Sequence, residues 1–137
     1  MLDLFAGTGQ LGLEALSRGA ARCTFVDMRR DAAALCRENV AQCGFDGAAE
    51  VRQSDYLAYL SACREKFDLV FLDPPYGAGL LEKALDTIAK IDIVTANGII
   101  ICESPVEHAL PELPDPYEKG REYRYGRIKI TLYRRKA

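Results

Sequence analysis

Met1-Leu2-Asp3-Leu4-Phe5-Ala6-Gly7-Thr8-Gly9-Gln10-Leu11-Gly12-Leu13-Glu14-Ala15-Leu16-Ser17-Arg18-Gly19-Ala20 decides the fold class. Residues 1–5 are apolar and strand-like. Ala6-Gly7-Thr8-Gly9 breaks the strand, and Leu11, Leu13, Ala15 and Leu16 suit a helix that closes near Gly19. The same alternation continues outward. Cys23 to Val26 predicts a second strand ended by Asp27, and Arg29 to Gln42 a helix stopped by Gly44. Ala48 to Gln53 reads as a third strand and Asp55 to Ala62 as a short helix. Phe67 to Leu72 is a fourth strand cut by Pro74-Pro75, Leu80 to Ile91 is helical, and Gly98 to Glu103 is a fifth, almost wholly apolar strand. Strand alternating with helix predicts an α/β fold: a mostly parallel sheet with crossover helices on both faces.

After Glu103 the pattern changes. Pro105, Pro111, Pro114 and Pro116 mark an irregular connection, and Tyr117–Tyr125 and Arg127–Tyr133 read as a hairpin about Gly126. Ile128, Ile130 and Leu132 alternate with Arg127, Lys129 and Thr131, which predicts that the first set is buried and the second wet. An antiparallel hairpin is therefore expected to finish the sheet.

The 137 residues make one domain, 1–137. Hydrophobic residues are 49% and charged residues 28%, which argues against disorder and against a fibrous repeat. No apolar run approaches a membrane span, and no basic-then-apolar leader opens the sequence. The five cysteines are odd in number and form no C-x-x-C, so neither a disulfide framework nor a metal site is expected. Each reads as a small buried or half-buried hydrophobe in a reducing cytoplasm. Net charge is −2, yet Glu118 to Ala137 holds eight Lys or Arg against two Glu. That basic end permits a polyanionic partner, with Arg121, Arg124, Arg127 and Lys129 as phosphate contacts; a charged edge strand explains it equally well.

Three features fall where strands one to three end, the side on which open α/β sheets bind ligands. In Asp3-Leu4-Phe5-Ala6-Gly7-Thr8-Gly9, Gly7 and Gly9 permit positive φ and close approach of backbone to a ligand. Gly12 completes a Gly-x-Gly-x-x-Gly spacing, but Asp3 would repel a pyrophosphate, which disfavours a nicotinamide dinucleotide. An acid beside the turn suits a cationic ligand, such as the sulfonium and amino groups of S-adenosylmethionine. Asp27 lies at the distance after the turn that favours a ribose role, with Met28 able to cover an adenine; Asp27 could equally cap the following helix. In Ser54-Asp55-Tyr56, Asp55 could accept from an adenine amine or cap the short helix. Phe5 and Tyr56 join this cofactor-binding set.

The most specific tetrapeptide is Asp73-Pro74-Pro75-Tyr76. Two prolines offer no backbone donors, so the Asp73 carboxylate and the Pro74 carbonyl can act as paired acceptors for the two hydrogens of a planar exocyclic amine. Tyr76 offers a face for an extruded base to stack on. The alternative is a plain edge-strand terminator. His108, in the Pro-rich stretch, reads as a surface group rather than a general base. Glu14 reads as a satisfied helix carboxylate. Glu103 either lines the mouth of the site or starts the irregular loop.

These residues resemble class I S-adenosylmethionine-dependent methyltransferases, and more closely the bacterial RsmD-type family that methylates the N2 amine of a guanine in 16S ribosomal RNA. Residues 2–9, 11–20 and 67–76 and the late Tyr125-Gly126 strand pair carry the likeness, which spans nearly the whole chain. The resemblance implies a seven-stranded sheet of order 3-2-1-4-5-7-6. It implies that Asp3, Gly7, Gly9, Asp27 and Asp55 hold the cofactor and that Asp73 to Tyr76 hold the target base. It also implies 16S rRNA or the assembled small subunit as partner, no membrane, and a monomer acting in the cytoplasm. Family members carry a segment before the first strand that helps cover the cofactor and grip RNA; the sequence here begins within that strand. Two other readings are an adenine-N6 methyltransferase on DNA or RNA, which shares the tetrapeptide, and a cofactor-binding module without turnover.

Overall fold

The computed structural model describes residues 1–75 and 79–136. Its elements run β1 (Leu2–Asp3), α1 (Gln10–Ser17), β2 (Cys23–Asp27), α2 (Arg30–Gln42), β3 (Ala49–Gln53), α3 (Tyr56–Ala62), β4 (Phe67–Leu72), α4 (Leu80–Ile91), β5 (Val94–Pro105), β6 (Tyr117–Tyr125) and β7 (Ile128–Arg135). The strand order is β3-β2-β1-β4-β5-β7-β6, as the resemblance implies. Two compact units, residues 1–62 and 63–137, make up the chain.

In the first unit β1 pairs parallel to β2 (Leu2 opposite Thr24), and β2 pairs parallel to β3 from Cys23–Ala49 to Asp27–Gln53. Leu16, Cys23, Phe25, Cys36 and Val40 form its buried core. Helix α1 reaches that core because Gly12 has no side chain. A Cβ there would lie 2.2 Å from Phe25 Cε1 and 2.8 Å from Cys23 Sγ. Strand β1 is shorter than the apolar run predicts, because the chain already turns at Leu4-Phe5 toward the glycines.

In the second unit β4 and β5 are parallel, with Phe67 opposite Val94, a register shift, and then Leu69 opposite Ile99. Strand β5 thus starts four residues before the expected Gly98. At Gly98 a Cβ would meet Val94 Cγ1 at 2.4 Å, so the irregularity requires glycine. Strands β5 and β7 are antiparallel, as are β7 and β6.

The expected faces of β7 are reversed. Lys129, Thr131 and Tyr133 are the buried residues, and Ile128 is exposed. Strand β7 lies between β5 and β6, and the Pro-rich segment covers one face: Leu110 is buried and the Tyr133 hydroxyl donates to the Pro111 carbonyl at 2.7 Å. Alternation alone cannot tell which face a later segment will cover. Among the cysteines, 23, 36 and 102 are buried and Cys63 is half-buried, whereas Cys43 is exposed, contrary to expectation. No helix among the described residues is long and apolar enough to cross a membrane.

Candidate active site

The glycine turn is held from two sides. Gly7 and Gly9 both take positive φ, 59° and 91°, the conformation that favours glycine. Asp27, at the end of β2, accepts the Gly7 N–H at 2.8 Å through Oδ2 and the Arg29 N–H at 2.9 Å through Oδ1. Asn39 of α2 donates through Nδ2 to the Thr8 carbonyl at 3.0 Å. The helix-cap alternative for Asp27 is not realised, since α2 begins after Arg29 without a side-chain cap bond. Asn39 went unnoticed in the sequence because its contact spans 31 residues and no motif marks it.

Among the described residues, no atom beyond its chain neighbours lies within 4 Å of where a Gly7 Cβ would sit, so the turn borders open space there. Gly9 is the opposite case: a Cβ would fall 2.7 Å from Cys36 Sγ. Asp3 is buried, and its carboxylate charge helps to raise the thiols of Cys23, to about 12, and Cys36, to about 11, burial being the larger cause. Neither thiol is a nucleophile near neutrality. Met28 is 65% exposed beside Asp27, an unusual position for a large apolar side chain.

At the end of β3, Asp55 caps α3. Its Oδ2 accepts the Leu57 and Ala58 N–H groups at 3.1 and 3.2 Å. Tyr56 is buried, with its ring centroid 5.2 Å from that of half-buried Phe5, and burial raises its hydroxyl pKa. The pair packs β1's exit onto α3. Glu14 is a satisfied helix carboxylate, 2.6 Å from Arg18 Nε.

In the second unit, Asp73-Pro74-Pro75 follows β4 directly. Asp73 is half-buried, Pro74 buried and Pro75 exposed; Tyr76 lies outside the described residues. The β4–β5 register sets Leu72 opposite Cys102, and the next residues on each strand, Asp73 and Glu103, share a side-chain hydrogen bond. A second carboxyl group so close disfavours the charged form of Asp73. Burial, then the hydrogen bond to Glu103, then its charge raise Asp73 to about 7.

Beside this pair lies a small recess lined by Pro74, Pro75, Leu80, Glu103, Ser104 and His108 among others. Ser104 is fully buried, and its Oγ has no hydrogen-bond partner among the described residues. His108 lines the recess and pairs through Nε2 with Glu82 Oε1, so it is not the plain surface group expected. Ser104 has no mark in the sequence, because strand ends and loops become a wall only on folding. Among the described residues no cluster could hold a metal ion.

Of the basic residues proposed for phosphate contact, Arg121, Arg124 and Arg127 are exposed. Lys129 is not: it is buried, with its Nζ 3.2 Å from Glu122. A lysine on the covered face of an inner strand needs a carboxylate partner, and the hydrogen bond from Lys129 is the main cause that lowers Glu122.

Sheet order and ligand-side loops define the chain as a class I methyltransferase fold. A solved RNA methyltransferase from Salinibacter ruber shares it at a TM-score of 0.69 and 15% identity, over 96% of this chain and 76% of that one. A conserved hypothetical protein from Streptococcus pyogenes matches at a TM-score of 0.88 and 30% identity, over 96% of this chain and 82% of its own. The ribosomal RNA small subunit methyltransferase D of Escherichia coli is 37% identical over 136 residues, 99% of this chain and 68% of that protein. The chain belongs to the family described as conserved hypothetical protein 95, whose model matches residues 1–134.

Proposed function

We propose that this protein is a ribosomal RNA methyltransferase that moves a methyl group from S-adenosylmethionine to the N2 amine of a guanine in 16S RNA. The partner is free 16S rRNA or the assembled small subunit, met in the cytoplasm by a monomer. The observation that carries the reading is Asp73, half-buried at the end of β4, followed by two prolines and paired with Glu103. The Escherichia coli relative's name supports the RNA class.

The first unit fits the cofactor. The space over Gly7 admits a ligand against backbone, and each Asp27 oxygen keeps a lone pair for a ribose hydroxyl after its backbone bond. Exposed Met28 gives an apolar cover for adenine, with Asp3, Gly9, Phe5, Asp55 and Tyr56 shaping the rest. When bound, S-adenosylmethionine supplies a methyl carbon on a cationic sulfur, which departs as a neutral thioether.

The chain's own residues do the rest. The lone pair of a nucleobase amine is spread into the ring, so the amine is a weak nucleophile. The Asp73 carboxylate and the Pro74 carbonyl each accept one amine hydrogen and orient the nitrogen for methylation. The gain is chiefly positional. As the N–C bond forms, positive charge grows on nitrogen; the Asp73 carboxylate stabilises it and takes the released proton. A carboxyl near pH 7 is matched to that task.

The test couples calorimetry with S-adenosylhomocysteine to methylation of small ribosomal subunits, followed by nucleoside analysis. N2-methylguanosine from the wild type, abolished in Asp73→Ala with ligand binding kept, is the expected result. N6-methyladenosine, or binding without turnover, overturns it.

A further inference from the structure

The hairpin of β6 and β7 leaves one face partly bare. Three of the seven large hydrophobic side chains exposed among the described residues lie together there: Tyr123, Tyr125 and Ile128. Strand pairing puts them on the side of Glu103. Glu103 is opposite Ile130 and Ile130 opposite Tyr123; Pro105 is opposite Ile128 and Ile128 opposite Tyr125. Residues paired across strands share a face. The alternate residues Ser104, Lys129, Thr131 and Tyr133 are buried on the other face, where the Tyr133 hydroxyl meets the Pro-rich segment.

The charge around this face suits a polyanion. Lys119 and Lys129 pair with Glu122, Arg135 with Asp92 and Lys136 with Asp115. Arg121, Arg124 and Arg127, by contrast, are exposed and form no ion pair among the described residues. An edge strand guarded against aggregation needs charges, but it does not need two tyrosines with bare rings beside them. Aromatic faces next to unpaired guanidinium groups suit single-stranded nucleic acid, the rings taking bases and the cations phosphates. We propose that Tyr123 and Tyr125 form a stacking platform for unpaired RNA nucleotides that flank the target base. Tyr123 stands three strands from Asp73 along one cross-strand row, about 14 Å away at the usual strand spacing. At about 3.4 Å per stacked nucleotide a strand covers that span in about four nucleotides, and in fewer where its bases splay apart. The platform positions the strand, while the Asp-Pro-Pro step holds the reacting amine. This inference rests on the RNA-methylation reading and deepens it.

Filter binding of small ribosomal subunits and of protein-free 16S RNA over a salt series, run beside steady-state methylation, tests the platform in the full chain. Tyr125 is 66% exposed, so truncating it leaves the core untouched. Tyr125→Ala should weaken RNA binding about tenfold, within the worth of one base stacked on an aromatic ring. The KM for RNA should rise in step while kcat, S-adenosylhomocysteine binding and the melting temperature stay at wild-type values. The salt dependence of binding should also be unchanged, because the ring carries no charge. Tyr125→Phe should keep the affinity and Tyr125→Leu should not, since only the aromatic ring offers a face to stack on. Wild-type RNA affinity in the Tyr123→Ala, Tyr125→Ala double variant overturns the proposal, as does full affinity in Tyr125→Leu. A double variant that binds RNA fully but converts a dimer to monomers in sedimentation assigns the face to a second copy of the chain and overturns it too. Each of those results leaves the methylation reading intact. A wild type that methylates no RNA refutes that reading, and this proposal with it.

Discussion

Gly12→Ala sets two effects of opposite sign against each other. Gly12 lies inside α1, where alanine is favoured by up to about 1 kcal/mol on helix propensity alone. The new Cβ, however, would sit 2.2 Å from Phe25 Cε1, 2.7 Å from Cζ and 2.8 Å from Cys23 Sγ. Phe25 is fully buried in the core cluster with Leu16, Cys23, Cys36 and Val40, so its ring has little room to swing. Helix α1 must lift off β2, and overpacking of this kind costs about 1–3 kcal/mol or more. The clash wins, for a net loss of about 2 kcal/mol and a melting temperature lower by on the order of 5–10 °C. The glycine turn leads straight into α1, so affinity for S-adenosylhomocysteine falls as well. Differential scanning calorimetry and ligand titration read both quantities. In a Phe25→Leu background, which makes room, the added cost of Gly12→Ala should shrink. A melting temperature equal to or above wild type would refute the packing argument and leave propensity in charge.

Three further outcomes are expected. Methylation at saturating substrate should rise with pH through about 7 as Asp73 gives up its proton, and Glu103→Gln, which removes the neighbouring charge, should move that acid limb down by about one pH unit, read from pH–rate profiles. The Asp92 carboxyl is held below its ordinary range, first by the Tyr117 hydroxyl at 2.6 Å and also by Arg135. Its stabilising contribution is therefore present above the unfolded carboxyl value and lost as pH falls through the lowered folded value; denaturant titrations should show wild type losing more stability than Asp92→Asn between about pH 5 and pH 2. Arg124→Ala should weaken RNA binding and reduce the salt slope by about one, with the melting temperature unchanged, whereas Lys129→Ala, which strands Glu122, should lower the melting temperature first; filter binding over a salt series and calorimetry separate them.

Local chemistry made much of this protein legible in its sequence. Strand β4, helix α4 and β6 coincide with their expected bounds, because short apolar runs, glycine stops and prolines act within a few residues. The Asp-Pro-Pro step and the positive-φ turn at Gly7 and Gly9 are likewise local: nothing but proline removes those donors, and glycine suits that turn best. What the tertiary structure alone decided concerns which residues meet. Asp27 turned out to hold the glycine turn rather than a helix end, and Asp55 to cap α3. The covered face of β7 reversed, burying Lys129, because a segment remote in sequence lies over it. The Asp73–Glu103 pair depends on the register of β4 against β5, which shifts between Phe67 and Leu69. Periodicity reports whether a residue has a buried side; it carries no information about which partner arrives there, since pairing across a sheet is fixed by packing between strands many residues apart.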